Sequence, residues 1–227
     1  TNSLGEAYVV GSTRSSNMYT SPVCLDNLLS GTWDGFVCRV NSLGSALDYS
    51  SYLGGSSPMA GTYSEAATDI AIASNNDIVI AGQTVSTDFP TTPGAFDNSF
   101  NATTSTWDVF ISRINPTVNG IAGLVYSTYV GGSNNDFFPE LVLNSQDEIF
   151  MVCHVYISRN MPVIPLCSYD ANISSMEDIY FAKLSSDLSQ IFYSTYLGMG
   201  GNDYYPSIDL FGNCDEYVYI GATTHSL

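Results

Sequence analysis

One phrase is written three times in this chain: Tyr49-Ser50-Ser51-Tyr52-Leu53-Gly54-Gly55, Tyr126-Ser127-Thr128-Tyr129-Val130-Gly131-Gly132 and Tyr193-Ser194-Thr195-Tyr196-Leu197-Gly198. A second marker keeps step with it: Ala7-Tyr8-Val9-Val10-Gly11, Ile78-Val79-Ile80-Ala81-Gly82, Ile149-Phe150-Met151-Val152-Cys153 and Tyr217-Val218-Tyr219-Ile220-Gly221, at intervals of 71, 71 and 68 residues. A third, Asp34-Gly35-Phe36-Val37, Asp108-Val109-Phe110-Ile111 and Asp178-Ile179-Tyr180-Phe181, is spaced 74 and 70. A period of about 70 residues made of short β-branched and aromatic runs implies a sheet in each unit, and a series of such sheets set as blades around an axis. The expected fold is all-β, a β-propeller of four-stranded antiparallel blades.

The best-preserved unit breaks into four runs of strand length, Ala66 to Ser74, Asp77 to Gln83, Trp107 to Ile114 and Gly123 to Val130. Asn75-Asn76 suits a tight hairpin between the first two, and Asn115-Pro116 through Gly120 joins the last two. The connection containing Phe89 to Phe96 is longer and is expected to fold over an end of the sheet. The first two runs are apolar on both faces, as sheets covered on both sides require. The fourth mixes Tyr with Ser and Thr, which suits the rim, and its glycine pair is expected to supply a positive φ for the turn that follows.

With the strands of a blade lettered a to d, the chain reads as a partial blade b-c-d (residues 1–65), two whole blades (66–132 and 133–203) and a partial blade a-b (204–227). The partial ends overlap in b, and three blades are fewer than the four to eight of a closed ring. An open array leaves apolar faces in water at about 25 cal/mol per Å². Closure is therefore expected from further blades of a longer chain or from a second copy.

Lys and Arg number 5 against 22 acidic residues, a net charge of −17, so nucleic acid and anionic membranes are excluded as natural partners and cations are favoured. No apolar run approaches the ~20 residues of a transmembrane helix. The chain opens at Thr1 without a signal-peptide pattern, which fits a removed leader or an excerpt of something longer. Scarce lysine with abundant Ser, Thr, Asn and Tyr suits an extracellular or cell-surface protein.

The strings at 126–132 (YSTYVGG), 131–136 (GGSNND), 88–96 (DFPTTPGAF) and 107–114 (WDVFISRI) together resemble the SBBP repeat family, named after a seven-bladed β-propeller. The resemblance covers nearly the whole chain and implies a secreted or surface propeller; it brings no catalytic set. The third unit departs from it, with Met161 to Cys167 in place of the Asp88 to Phe96 string, and the first carries an insertion around Pro58 to Thr62.

Candidates for chemistry are few. Asn134 and Asp136 after Gly131-Gly132, and Asn202 and Asp203 after Gly200-Gly201, put oxygen-bearing side chains on flexible turns that suit calcium, although tight turns use the same residues and no full calcium-loop spacing is present. Asp34, Asp108 and Asp178 recur at one phase, either as a ring of acidic groups or as acceptors for backbone N–H groups of their own blades. His154 and His225 occupy different phases without a nucleophile in context, so no catalytic residue is assigned. Asn101 and Asn172 head glycan acceptor sequons one period apart. Trp33, Trp107, Tyr19, Tyr63, Phe100 and Tyr169 lie in or beside loops, where they either stack on sugars or clamp blade edges. The five cysteines, 24, 38, 153, 167 and 214, are read as buried thiols, with local bridges Cys24/Cys38 and Cys153/Cys167 as the alternative.

The sequence thus leads to a non-enzymatic interaction module: a rigid scaffold for assembly or adhesion through other copies of itself, further blades, or a surface protein or glycan. The other expectation is a carbohydrate-binding or carbohydrate-active propeller with its site at the axial mouth.

Overall fold

Runs of seven to nine residues rich in Val, Ile, Tyr and Phe, bounded by Asn, Asp, Ser and Gly, form every strand of the computed structural model. It describes residues 1–57, 64–103, 106–164, 168–198, 200–211 and 217–225; the insertion at Pro58 to Thr62, Tyr63, Cys167 and Cys214 lie outside these. The first sheet holds β1 (Ala7–Thr13), β2 (Asp34–Val40) and β3 (Leu47–Leu53). The second holds β4 (Glu65–Ile72), β5 (Ile78–Thr84), β6 (Asp108–Ile114) and β7 (Leu124–Val130), and the third β8 (Asn135–Leu143), β9 (Ile149–Tyr156), β10 (Glu177–Leu184) and β11 (Ile191–Leu197). The fourth holds β12 (Asp203–Phe211) and β13 (Tyr217–Thr224). The protein is all-β, and its two four-stranded sheets are antiparallel meanders; among the described residues no sheet closes into a ring. Asn76 takes φ 67° in the β4–β5 hairpin, a left-handed turn position that Asn tolerates.

Consecutive sheets pack face to face. Ile78, Ile80, Phe110 and Tyr129 of the second sheet meet Val37, Tyr49 and Leu53 of the first. Its other face, with Val79, Ala81, Val109 and Ile111, meets Ile149, Met151, Tyr180 and Ala182 of the third. The far face of the third, Phe150, Val152, Ile179 and Phe181, carries Ile208, Leu210, Val218 and Ile220 of the fourth.

Three expectations are corrected. The long connection does not fold over a sheet end but runs along the outer strand: Thr92 N donates to Ser127 O (3.1 Å), Tyr129 N to Asp97 O (3.0 Å) and Ser127 Oγ to Pro90 O (2.7 Å). The Tyr-Ser-Thr-Tyr strand is therefore a buried edge rather than a rim, and its hydroxyls satisfy the irregular chain laid against it. Tyr52, Tyr129 and Tyr196 each donate to a carbonyl at the start of that connection, Ser15, Ser86 and Ser158.

Secondly, the paired glycines have no positive φ. They are required by close approach. A β-carbon on Gly55 would lie 2.6 Å from Ser86 Cβ, and one on Gly131 would enter the Asp108 carboxylate.

Thirdly, the last marker is out of register by one residue. Asp136 pairs with Val155 and Asp203 with Thr224, so β13 corresponds to β9 at an interval of 69, not 68. Since a strand alternates faces with period two, that residue decides which side chains look inward. Val218 and Ile220 face the third sheet, while Tyr217 and Tyr219 face away, 60% and 58% exposed.

Cys24, Cys38 and Cys153 are free thiols, which removes the Cys24/Cys38 bridge. Cys38 Sγ lies 3.2 Å from Ser50 Oγ.

Candidate functional site

Each sheet junction brings two carboxylates together at one end of the strands. Asp34, Asp108 and Asp178 stand first or second in the third strand of a unit, and Glu65, Asp136 and Asp203 first or second in the first strand of the next. They meet around the glycine that follows the intervening edge strand. At Gly54 a β-carbon would sit 2.8 Å from Asp34 Oδ1 and against Glu65 Oε2; at Gly198 it would sit 2.6 Å from Asp178 Oδ1 and 2.8 Å from Asp203 Oδ2. Only a residue without a side chain leaves room for the pair.

The outer member of each pair caps its own loop. Asp34 accepts from Ser30 N (2.8 Å) and Gly31 N (3.1 Å), Asp108 from Asn101 N (2.6 Å), and Asp178 from Ser174 N and the Ser174 and Ser175 hydroxyls. This repeated role is the backbone-acceptor alternative of the sequence reading. The inner member holds the glycine turn: Glu65 accepts from Gly55 N (2.8 Å) and Thr84 Oγ1 (2.7 Å), and Asp136 from Gly132 N (2.7 Å) and Ser158 Oγ (3.0 Å). Asp108 and Asp136 are fully buried, and the Oδ1 atom of each has no hydrogen-bond partner. Burial raises the carboxyl of Asp108 to about 7 and that of Glu65 to about 8, against the hydrogen bonds that lower them; it lifts Asp136 well above the usual range and raises Asp34 too.

Beside the pairs, at the same strand ends, a groove of about 420 Å³ crosses the first three sheets, walled by Gly11, Ala67, Trp107, Phe137 and Phe138. Bulges in β8 and β12 hold Phe138 and Tyr205 at φ 52° and 51°, an uncommon conformation for aromatic residues, and leave them 48% and 72% exposed. Trp107, Phe137, His154, Tyr204 and His225 continue as a chain of edge-to-face rings 4.5 to 6.3 Å apart. His154 is buried with both ring nitrogens unpartnered, and burial lowers its basicity.

Of the calcium candidates, Asp136 and Asp203 join Asp108 and Asp178, whereas Asn134 Nδ2 donates to Ile157 O (3.4 Å) and the Asn202 side chain bonds Tyr204. Among the described residues no three His, Cys, Asp or Glu side chains gather as a metal-binding group. Asn101 and Asn172 are exposed; the Asn101 amide is tied to Asp97 Oδ2 at 2.5 Å. Trp33 carries Arg14 over its ring at 5.3 Å, Phe100 packs edge-on to Tyr129, and Tyr19 and Tyr169 are open to solvent. Sequence reasoning missed Glu65 as the partner of Asp34 because the insertion stretches its distance from the glycines to ten residues, against four for Asp136.

No protein-family model matches the chain, and no curated protein matches it. Among the described residues no helix is long and apolar enough to cross a membrane.

Proposed function

We propose that this chain is a segment of a propeller of the SBBP repeat type, acting at the cell surface or outside the cell as a rigid module that joins further sheets of its own kind. One observation carries the reading: strand positions sealed in the middle of the array are open at both ends. Tyr219 is 58% exposed, whereas its counterparts Phe150 and Val79 are 6% and 1% exposed. Val9 is 47% exposed, whereas Ile80 and Met151 are fully buried. The outer face of the fourth sheet presents Tyr219, Tyr217 and Phe211, with Phe211 edge-on to Tyr219 at 6.2 Å. The outer face of the first presents Val9, Phe36 and Cys38 at the positions that Met151, Tyr180 and Ala182 use to seal the second junction.

The two ends are thus cognate, and head-to-tail contact repeats a packing the chain already makes. The occupant is a sheet from a second copy or from further blades of a longer polypeptide. Sedimentation equilibrium of the chain and of Tyr219→Lys tests this. The chain is expected to self-associate with rising concentration and the variant to stay monomeric; a chain that is monomeric throughout refutes assembly through copies.

A second reading is favoured by the strained, exposed Phe138 and Tyr205 beside the groove: their rings suit stacking on the apolar face of a sugar. Glycan binding that Phe138→Ala abolishes would move the function to the mouth.

A further inference from the structure

Two buried acids cannot face one another charged, without a base or water between them. At the junction of the second and third sheets, Asp108 Oδ1 and Asp136 Oδ1 are both buried without a partner, and no β-carbon fits between the chain at Gly131 and the Asp108 carboxylate. The ionisable groups facing this pair are Asp97 beside Asp108, Cys153, Tyr180 and Tyr196 beside Asp136, and Tyr129 from the edge strand. All are acids. At the first junction Asp26 faces Asp34, and Tyr129 faces Glu65.

We propose that the first two junctions, Asp34/Glu65 and Asp108/Asp136, are each latched by one proton held between two carboxyl groups, so that these sheets grip one another most firmly in mildly acid solution and loosen progressively as pH rises to neutral and beyond. A proton fits where a metal ion does not: it needs no shell of oxygen ligands, and Gly132 N and Ser158 Oγ already occupy the second oxygen of Asp136. At the third junction Asp178 accepts from two serine hydroxyls as well as a backbone N–H, and Asp203 Oδ2 beside it is the one buried oxygen of the pair left without a partner.

The direction follows from linkage. An acid that binds its proton more tightly folded than unfolded contributes stability that is complete below its unfolded value and is lost as pH rises through its folded value. An unfolded carboxyl near about 4 and folded values of about 7 for Asp108 and about 8 for Glu65 place the loss between about pH 4 and about pH 8. His154, lowered by burial, acts in the opposite sense, favouring the folded state as pH rises through its unfolded value of about 6.5, and a His154→Phe background removes that contribution from the comparison.

The test follows thermal unfolding from about pH 4.5 to about pH 9 for the chain, for Asp136→Asn and for Glu65→Gln, each with and without calcium. The melting temperature of the unaltered chain is expected to fall across the window; each variant is expected to flatten part of that fall and to lower proton uptake on folding by about one. Should a variant fail to fold, infrared spectroscopy of the unaltered chain at pH 7 still decides, through the protonated carboxyl band and its disappearance at alkaline pH. A flat profile with no such band overturns the proposal. So does a junction that calcium stabilises equally at all pH values, which would make the occupant a cation.

Discussion

Replacing Arg113 by Met should cost this protein more than any other single change of a charged side chain. The guanidinium of Arg113 reaches from β6 to three turns at the far end of the sheets: Nε to Asp77 Oδ2 at 2.9 Å, one Nη to Asn75 Oδ1 at 3.0 Å and Asp147 Oδ2 at 3.3 Å, the other to Ser186 O at 3.3 Å. Asp147 also accepts from Ser74 N and Ser74 Oγ, so the residue ties the hairpins of the second and third sheets together. The side chains of Arg113, Asp77 and Asp147 are only 9%, 6% and 13% exposed. Met fills the volume but leaves two carboxylates buried without a cation, and breaking such a pair costs about 3–5 kcal/mol. Against a total of about 5–15 kcal/mol for a folded domain, that is a large fraction. Lys183 provides the control. It sits at the same phase of the next sheet and pairs with Glu148 at 2.6 Å, but with side chains 29% and 25% exposed; Lys183→Met should cost about 1 kcal/mol or less. Urea unfolding followed by tryptophan fluorescence gives both midpoints. If Arg113→Met loses no more than Lys183→Met, burial is not what makes this triad matter and the reasoning fails.

Gly131→Ala places a β-carbon inside the Asp108 carboxylate and should destabilise by about 2–3 kcal/mol, within the range of overpacking. Gly94→Ala meets nothing within 4 Å and should cost only the ~1 kcal/mol of its positive φ, so equal losses on calorimetry would refute the steric account. His154→Phe replaces two unpartnered buried nitrogens by carbon between the rings of Phe137 and Tyr204; the melting temperature should hold or rise, with a gain of up to about 1 kcal/mol, and a loss above that would mean the nitrogens are used.

The strands were legible because each run of Val, Ile and aromatic residues is bounded by turn residues: Asp77 to Gln83 became Ile78–Thr84, and Trp107 to Ile114 became Asp108–Ile114. The role of the Tyr-Ser-Thr-Tyr phrase was not. Hydroxyls in a strand read as surface, yet in the fold Ser51, Thr128 and Thr195 each accept from the backbone N–H of Asp26, Asp97 or Asp170 in a covering segment. The carboxylate pairs were half visible: Asp34, Asp108 and Asp178 announce themselves by phase, but their partners come from the following unit across a turn of variable length. A pair that exists only between units leaves no signal within one.

The one-residue slip in β13 shows how a site can turn on a detail that motif matching treats as equal. Aligning Gly221 with Cys153 maximises likeness of letters, yet it would place Val218 and Ile220 in water and Tyr217 and Tyr219 against the third sheet. The ladder instead aligns Gly221 with Val152, and burial explains the choice: Val and Ile have no polar atom to leave wet, whereas a tyrosine buried against Phe150 and Phe181 would need a partner for its hydroxyl. The outer face is consequently a row of tyrosines and a phenylalanine rather than of aliphatic residues. Tyrosine hydroxyls stay hydrated while the face is open, and the rings supply stacking area when another sheet covers it. A face built this way tolerates the unpartnered state better than the Val79 and Ala81 face of the second sheet would, so the end contact is suited to association that forms and comes apart.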